Sequence, residues 1–144
     1  MPPKPQAVPQ ALSTWFSIHF IVDMLFAIPM MLFPQQFLGW LGWQTVDPIA
    51  TRLVAAALFG IGIESWLGRN ASPDTFKNML NLKIIWSLGA VLGIGISLLG
   101  GAQGSPLMGW LVFAVFLVFN GVWVYWRIKV HSLSPSRPHD LDLP

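Results

Sequence analysis

Cysteine is absent from the 144-residue chain, which excludes disulfides, thiolate catalysis and cysteine-ligated metals at once. Charge is scarce: 8 Lys and Arg with 6 Asp and Glu make up 10% of the residues, whereas soluble domains carry about a quarter. A surface that poor in charge cannot face water on every side. The formal charge of +2 is too small and too scattered for nucleic-acid binding, and no basic run occurs. The opening "MPPKPQAVPQAL" lacks the charged region and small-residue cleavage site of a signal peptide, so the first apolar segment is expected to be retained.

What the chain has instead is hydrocarbon. It is 54% hydrophobic, and four apolar windows stand out at residues 15–33, 49–67, 79–99 and 107–126. Each is about 20 residues long, which at ~1.5 Å per residue matches the ~30 Å core of a bilayer. The reading is one domain over residues 13–131, an all-α integral membrane four-helix bundle. It is flanked by a disordered segment at 1–12 and a disordered tail at 132–144. Asp47-Pro48, Ser72-Pro73 and Ser105-Pro106 precede the second, third and fourth spans. Each pairs a side chain that caps orphan N–H groups with a proline where no N–H is needed.

Lys4, Arg69, Lys77, Arg127, Lys129 and Arg137 all fall at one end of a four-span chain. The positive-inside rule then puts both termini in the cytoplasm and the protein, multi-pass, in the cytoplasmic membrane. Tryptophans suggest two interfacial belts, Trp15, Trp66, Trp123 and Trp126 inside and Trp40, Trp43 and Trp110 outside, with Trp86 near mid-span. Residues 34–48 are too apolar for a solvated loop and suggest a short segment in the outer interface. Ala56-x-x-x-Gly60 and Gly89-x-x-x-Gly93 suggest internal helix packing.

Within "SIHFIVDMLF", His19 and Asp23 share a helix face, roughly 40° apart. Glu64 in the second span, Lys83 in the third and Asn120 in the fourth fall in the same cytoplasmic half. Unpaired charges at that depth cost ~2.5–3.5 kcal/mol each. These five residues therefore form the candidate intramembrane polar site, with Lys83 as counter-ion for Asp23 or Glu64. Its alternative role is structural, interhelical hydrogen bonds of ~0.6–2 kcal/mol holding helices together. Arg52, alone near the outer surface, suits an outer-leaflet phosphate or a ligand. His19 and Asp23 have ligand-like spacing but no third partner at membrane depth, so neither a metal nor another cofactor is implied.

"FPQQFLGWLG" followed by "DPIATRLVAAALFGIGIESWLGR" resembles the first-to-second-span pattern of the DoxX-like group of small bacterial membrane proteins. Pro34, the run to Gly42, Asp47-Pro48, Arg52 and the small-rich stretch to Gly60 carry the resemblance. It implies a compact four-helix membrane bundle, with some relatives linked to respiratory-chain or redox assemblies. His19, Asp23 and Glu64 also resemble the acidic and histidine cluster of the emopamil-binding-protein superfamily, which implies acid–base chemistry on lipids. The expected function is a non-catalytic membrane component that binds a hydrophobic small molecule, lipid or quinone-like, or a partner membrane protein. A lipid-modifying acid–base enzyme is the alternative, and a small transporter acting as a homo-oligomer the third.

Overall fold

The computed structural model describes residues 8–104 and 106–133. All regular structure among them is helical: α1 (Gln10–Leu32), α2 (Pro34–Trp40), α3 (Pro48–Leu67), α4 (Pro73–Leu99) and α5 (Leu107–Leu133), with short 3-10 turns at Gly68–Asn70 and Ala102–Gly104. Four stretches, Gln10–Leu32, Pro48–Asn70, Pro73–Leu99 and Leu107–His131, are long and apolar enough to cross a membrane. No more than 28% of any span's apolar window is buried inside the bundle. Ile21, Leu25, Ile85 and Ile96 are among the apolar side chains left outside. Such a surface needs hydrocarbon around it, so the chain is a polytopic, all-α membrane protein.

Local chemistry sets the helix limits. The Asp47 carboxylate accepts from the Ile49 and Ala50 N–H groups at 2.8 and 3.2 Å, and Ser72 Oγ accepts from the Thr75 N–H at 3.4 Å. The third cap, Ser105, lies outside the described residues. Several helices outrun their apolar windows, because capping and backbone hydrogen bonds, not hydropathy, decide where a helix stops. α4 starts at Pro73 and α5 runs on to Leu133. α1 starts at Gln10 and buries Leu12 completely. The boundary at residue 12 is therefore corrected: residues 10–12 are helical, and so are 132–133 at the other end. The remainder of both expected disordered segments, 1–7 and 134–144, lies outside the described residues.

α1 pairs antiparallel with α3, and α4 with α5. At the end where α1 begins and α5 finishes, the proximal end, Leu12 and Phe16 of α1, Phe76 and Leu80 of α4, and Trp123 and Val130 of α5 form one core that locks the two pairs together. Trp123 and Trp126 belong to this interior rather than to a belt, because their face of α5 turns inward. Toward the distal end each pair packs mainly on itself. Ala27 and Met30 meet Ala55 and Leu58, and Gly95 and Gly109 lie against Phe113 and Leu98 across the α4–α5 seam. The motif glycines Gly60, Gly89 and Gly93 face open space instead, correcting the expectation of internal packing there.

A polar strap joins the distal ends. Gln103 Oε1 accepts from the backbone N–H groups of Gln44 and Thr45 at 2.9 and 2.8 Å, and its Nε2 donates to Thr45 Oγ1 at 2.8 Å. Gln103 adopts φ 58° to do so, a left-handed conformation that a side chain tolerates only when other contacts hold it.

Candidate functional site: a polar cluster beneath an apolar cavity

Lys83 is buried on α4, and each neighbouring helix gives its ammonium something. Ser65 Oγ of α3 accepts from Nζ at 2.5 Å while donating to its own helix at the Ile61 carbonyl. His19 Nδ1 of α1 lies 3.2 Å from Nζ. The rings of Phe16 and Trp123 stand 4.9 and 5.1 Å from it, within cation–π range. The His19 ring packs edge-on against the stacked pair Phe119 and Trp123, with centroids at 4.9 and 5.1 Å. The cation is thus compensated by one hydroxyl, one imidazole and two π faces.

Asp23 is placed one turn deeper on α1. Its side chain is 6% exposed, and Oδ2 sits 2.9 Å from His19 Nδ1. That is ion-pair distance without the alignment of a hydrogen bond, and among the described residues buried Oδ2 has no hydrogen-bond donor. α3 approaches closely here because residue 62 is glycine: a Cβ at that position would stand 2.8 Å from Asp23 Cβ. His19 therefore sits between Lys83 and Asp23, and one ring nitrogen faces both.

The expected residues divide into three groups. His19, Asp23 and Lys83 come together, though with histidine interposed where a direct Lys83–Asp23 pair was expected. Asn120 lies beside them: its amide donates to the Ile84 carbonyl at 3.1 Å and to Ser87 Oγ at 2.9 Å, stitching α5 to α4. Glu64 does not join. It is exposed on α3, and among the described residues it makes no hydrogen bond or ion pair within 4 Å, so it acts on Lys83 only through space, as a nearby negative charge. The position of Ser65, one residue on and buried, explains this, since neighbours on a helix point about 100° apart. Arg52, exposed at the distal end, donates from Nε to the Met31 carbonyl at 3.1 Å and so caps the last turn of α1. Ser65 and Gly62 are the members that sequence reasoning missed. Their three-residue spacing on one face of α3 was the available signal.

Distal to the cluster a half-open cavity of about 690 Å³ lies between the two helix pairs. It extends from Leu38, Leu41 and Trp43 at the distal mouth, past Leu58 and Phe116, to His19 and Asp23. Its size falls in the range of small-molecule sites, which are mostly apolar with a few placed polar groups. Among the described residues no group of three or more His, Cys, Asp or Glu could hold a metal ion. No family model matches the chain, and no curated protein or solved structure does either.

Proposed function

We propose that this protein is a non-catalytic membrane component that binds a hydrophobic small molecule, lipid or quinone-like, between its two helix pairs. The observation that carries the reading is the apolar cavity ending on Asp23, a buried carboxylate whose one close polar neighbour among the described residues is the His19 ring, out of hydrogen-bond alignment. The resemblance to DoxX-like bundles accords with it. An acid–base enzyme using His19, Asp23 and Glu64 has less support, because Glu64 is exposed and away from the cavity. A partner membrane protein, or a transporter built from several copies, would use the outer faces, and nothing distinguishes those faces from lipid-facing surface. In this reading both termini are cytoplasmic, since Arg69, Lys77, Arg127 and Lys129 belong to the proximal end.

The test uses Gly93, which lines the cavity and has no atom within 4 Å of the place a Cβ would take. Gly93→Phe should fill the space without disturbing helix packing. Native mass spectrometry of protein purified in mild detergent should show a bound lipid-sized mass on the wild type and none on the variant. An adduct that persists unchanged in Gly93→Phe, or a wild type with no adduct, removes the proposal.

A further inference from the structure

We infer that the cavity takes a neutral amphiphile whose head donates a hydrogen bond, an alcohol or phenol hydroxyl received by the Asp23 carboxylate. This rests on the cavity being a binding site and names the class of ligand it selects.

The polar groups around the foot of the cavity are nearly all engaged. Ser87 Oγ donates to the Lys83 carbonyl at 2.7 Å and accepts from Asn120. Thr51, nearer the mouth, donates to the Asp47 carbonyl at 2.7 Å. Lys83 does not line the cavity; its ammonium is held by Ser65, His19 and two rings. Asp23 remains: it lines the cavity, and among the described residues no hydrogen bond reaches its carboxylate, whose Oδ2 is itself buried.

His19 cannot remove the deficit. If Nδ1 is bare it accepts from Lys83 and turns a lone pair toward the carboxylate. If Nδ1 carries the proton it can turn that proton to Asp23 but then opposes the ammonium 3.2 Å away. In the second state the carboxylate is served but the ammonium is one acceptor short; in the first, which keeps the Lys83–His19 hydrogen bond, the carboxylate is one donor short. A hydroxyl arriving through the cavity supplies it.

Charge narrows the class further. An anionic head, carboxylate or phosphate, would meet a carboxylate with the only nearby ammonium shielded behind the imidazole. A cationic head would also donate to Asp23, but it would have to shed its hydration in an otherwise apolar cavity, a cost a neutral hydroxyl avoids. A head that only accepts, such as an ether or an oxidised quinone ring, leaves Asp23 as it was. At roughly 30 Å³ per non-hydrogen atom the cavity holds about 20 of them, so a fifteen-carbon isoprenoid alcohol fits.

The experiment compares farnesol, farnesyl methyl ether and farnesoic acid on the full chain in lipid nanodiscs, at matched mole fraction, by the ligand-induced rise in unfolding midpoint. Farnesol should bind the wild type about tenfold or more tighter than the ether, the margin of a hydrogen bond to a charged group. The acid should bind more weakly still. Asp23→Asn should shrink the alcohol-to-ether ratio, and Gly93→Phe should abolish all binding. The wild-type comparison needs no variant to fold. Equal binding of alcohol and ether, both lost in Gly93→Phe, overturns the head-group assignment and leaves the cavity reading standing. Tightest binding by the acid overturns it as well. If no probe separates wild type from Gly93→Phe, both readings fall.

Discussion

Gly62→Ala puts one methyl group where α1 and α3 touch. The new Cβ would lie 2.8 Å from Asp23 Cβ, 2.9 Å from Met24 Cε and 3.1 Å from Asp23 Oδ2. The methionine end can swing away, but Asp23 Cβ is fixed to the backbone. Carbon atoms prefer about 3.5–4.0 Å, so the helices must part by on the order of 0.5–1 Å. Overpacking of this kind costs about 1–3 kcal/mol. Replacing a mid-helix glycine by alanine also returns about 0.5–1 kcal/mol of propensity, which would blur a single measurement. Gly60, two residues away on the same helix, removes the ambiguity because nothing lies within 4 Å of its Cβ position. Gly60→Ala should be neutral or slightly stabilising, and the difference between the two variants isolates the steric term at about 1–3 kcal/mol. Unfolding midpoints in mild detergent would read it as a gap of a few degrees. If the two alanine variants differ by less than about 0.5 kcal/mol, glycine does not set the spacing at Asp23, and the reasoning fails. A second readout follows, since Gly62→Ala moves the carboxylate while Gly60→Ala leaves it in place, so only the former should weaken ligand binding.

Ser65→Ala should destabilise by about 1.5–3 kcal/mol, because it strips an acceptor from a buried ammonium. In a double-mutant cycle with Lys83→Met, measured by unfolding in detergent, the coupling should exceed about 0.5 kcal/mol, and additivity would mean the ammonium does not depend on that hydroxyl. Gln103→Ala should remove the distal strap and speed hydrogen exchange at the Gln44 and Thr45 amides, whose N–H groups Gln103 accepts; unchanged protection would show that the strap is not closed in solution. Reporter fusions after Gly101 and after His131 should report opposite sides of the membrane, the latter cytoplasmic; a common side would refute the four-span topology.

How much of this was legible depends on which coordinate a feature needs. Depth adds up along a chain from helix rise and span boundaries, so hydropathy and the caps at Asp47 and Ser72 placed the spans and gathered His19, Asp23 and Lys83 at one level. Rotation about the helix axis is not fixed that way. Glu64 and Ser65 have nearly the same depth, yet one is exposed and the other reaches Lys83. Gly60 and Gly62 read alike in "GIG", yet only the second meets another helix. Trp123 sits at a belt position by depth and in the core by rotation. The cavity was out of reach altogether, because it depends on two helix pairs joining at one end and parting toward the other. That relation is set by the Phe16, Phe76 and Trp123 cluster on one side and by self-packing of each pair on the other.

The same distinction bears on whether the buried ionisable groups serve fold or function. Asn120 shows what structural stitching needs in this bundle: a neutral amide with both its N–H groups used, holding α5 to α4, at ~0.6–2 kcal/mol per interhelical bond. The Lys83–His19–Asp23 arrangement is a poorer glue. Removing a charged pair from water costs several kcal/mol per ion, and apolar residues of similar volume often stabilise as well or better. Its geometry is also incomplete, because one ring nitrogen faces two partners and, among the described residues, no aligned donor reaches the carboxylate. A cluster optimised for stability would close that deficit within the protein. Here the residue with the open valence lines a cavity of about 690 Å³, where a ligand can meet its carboxylate.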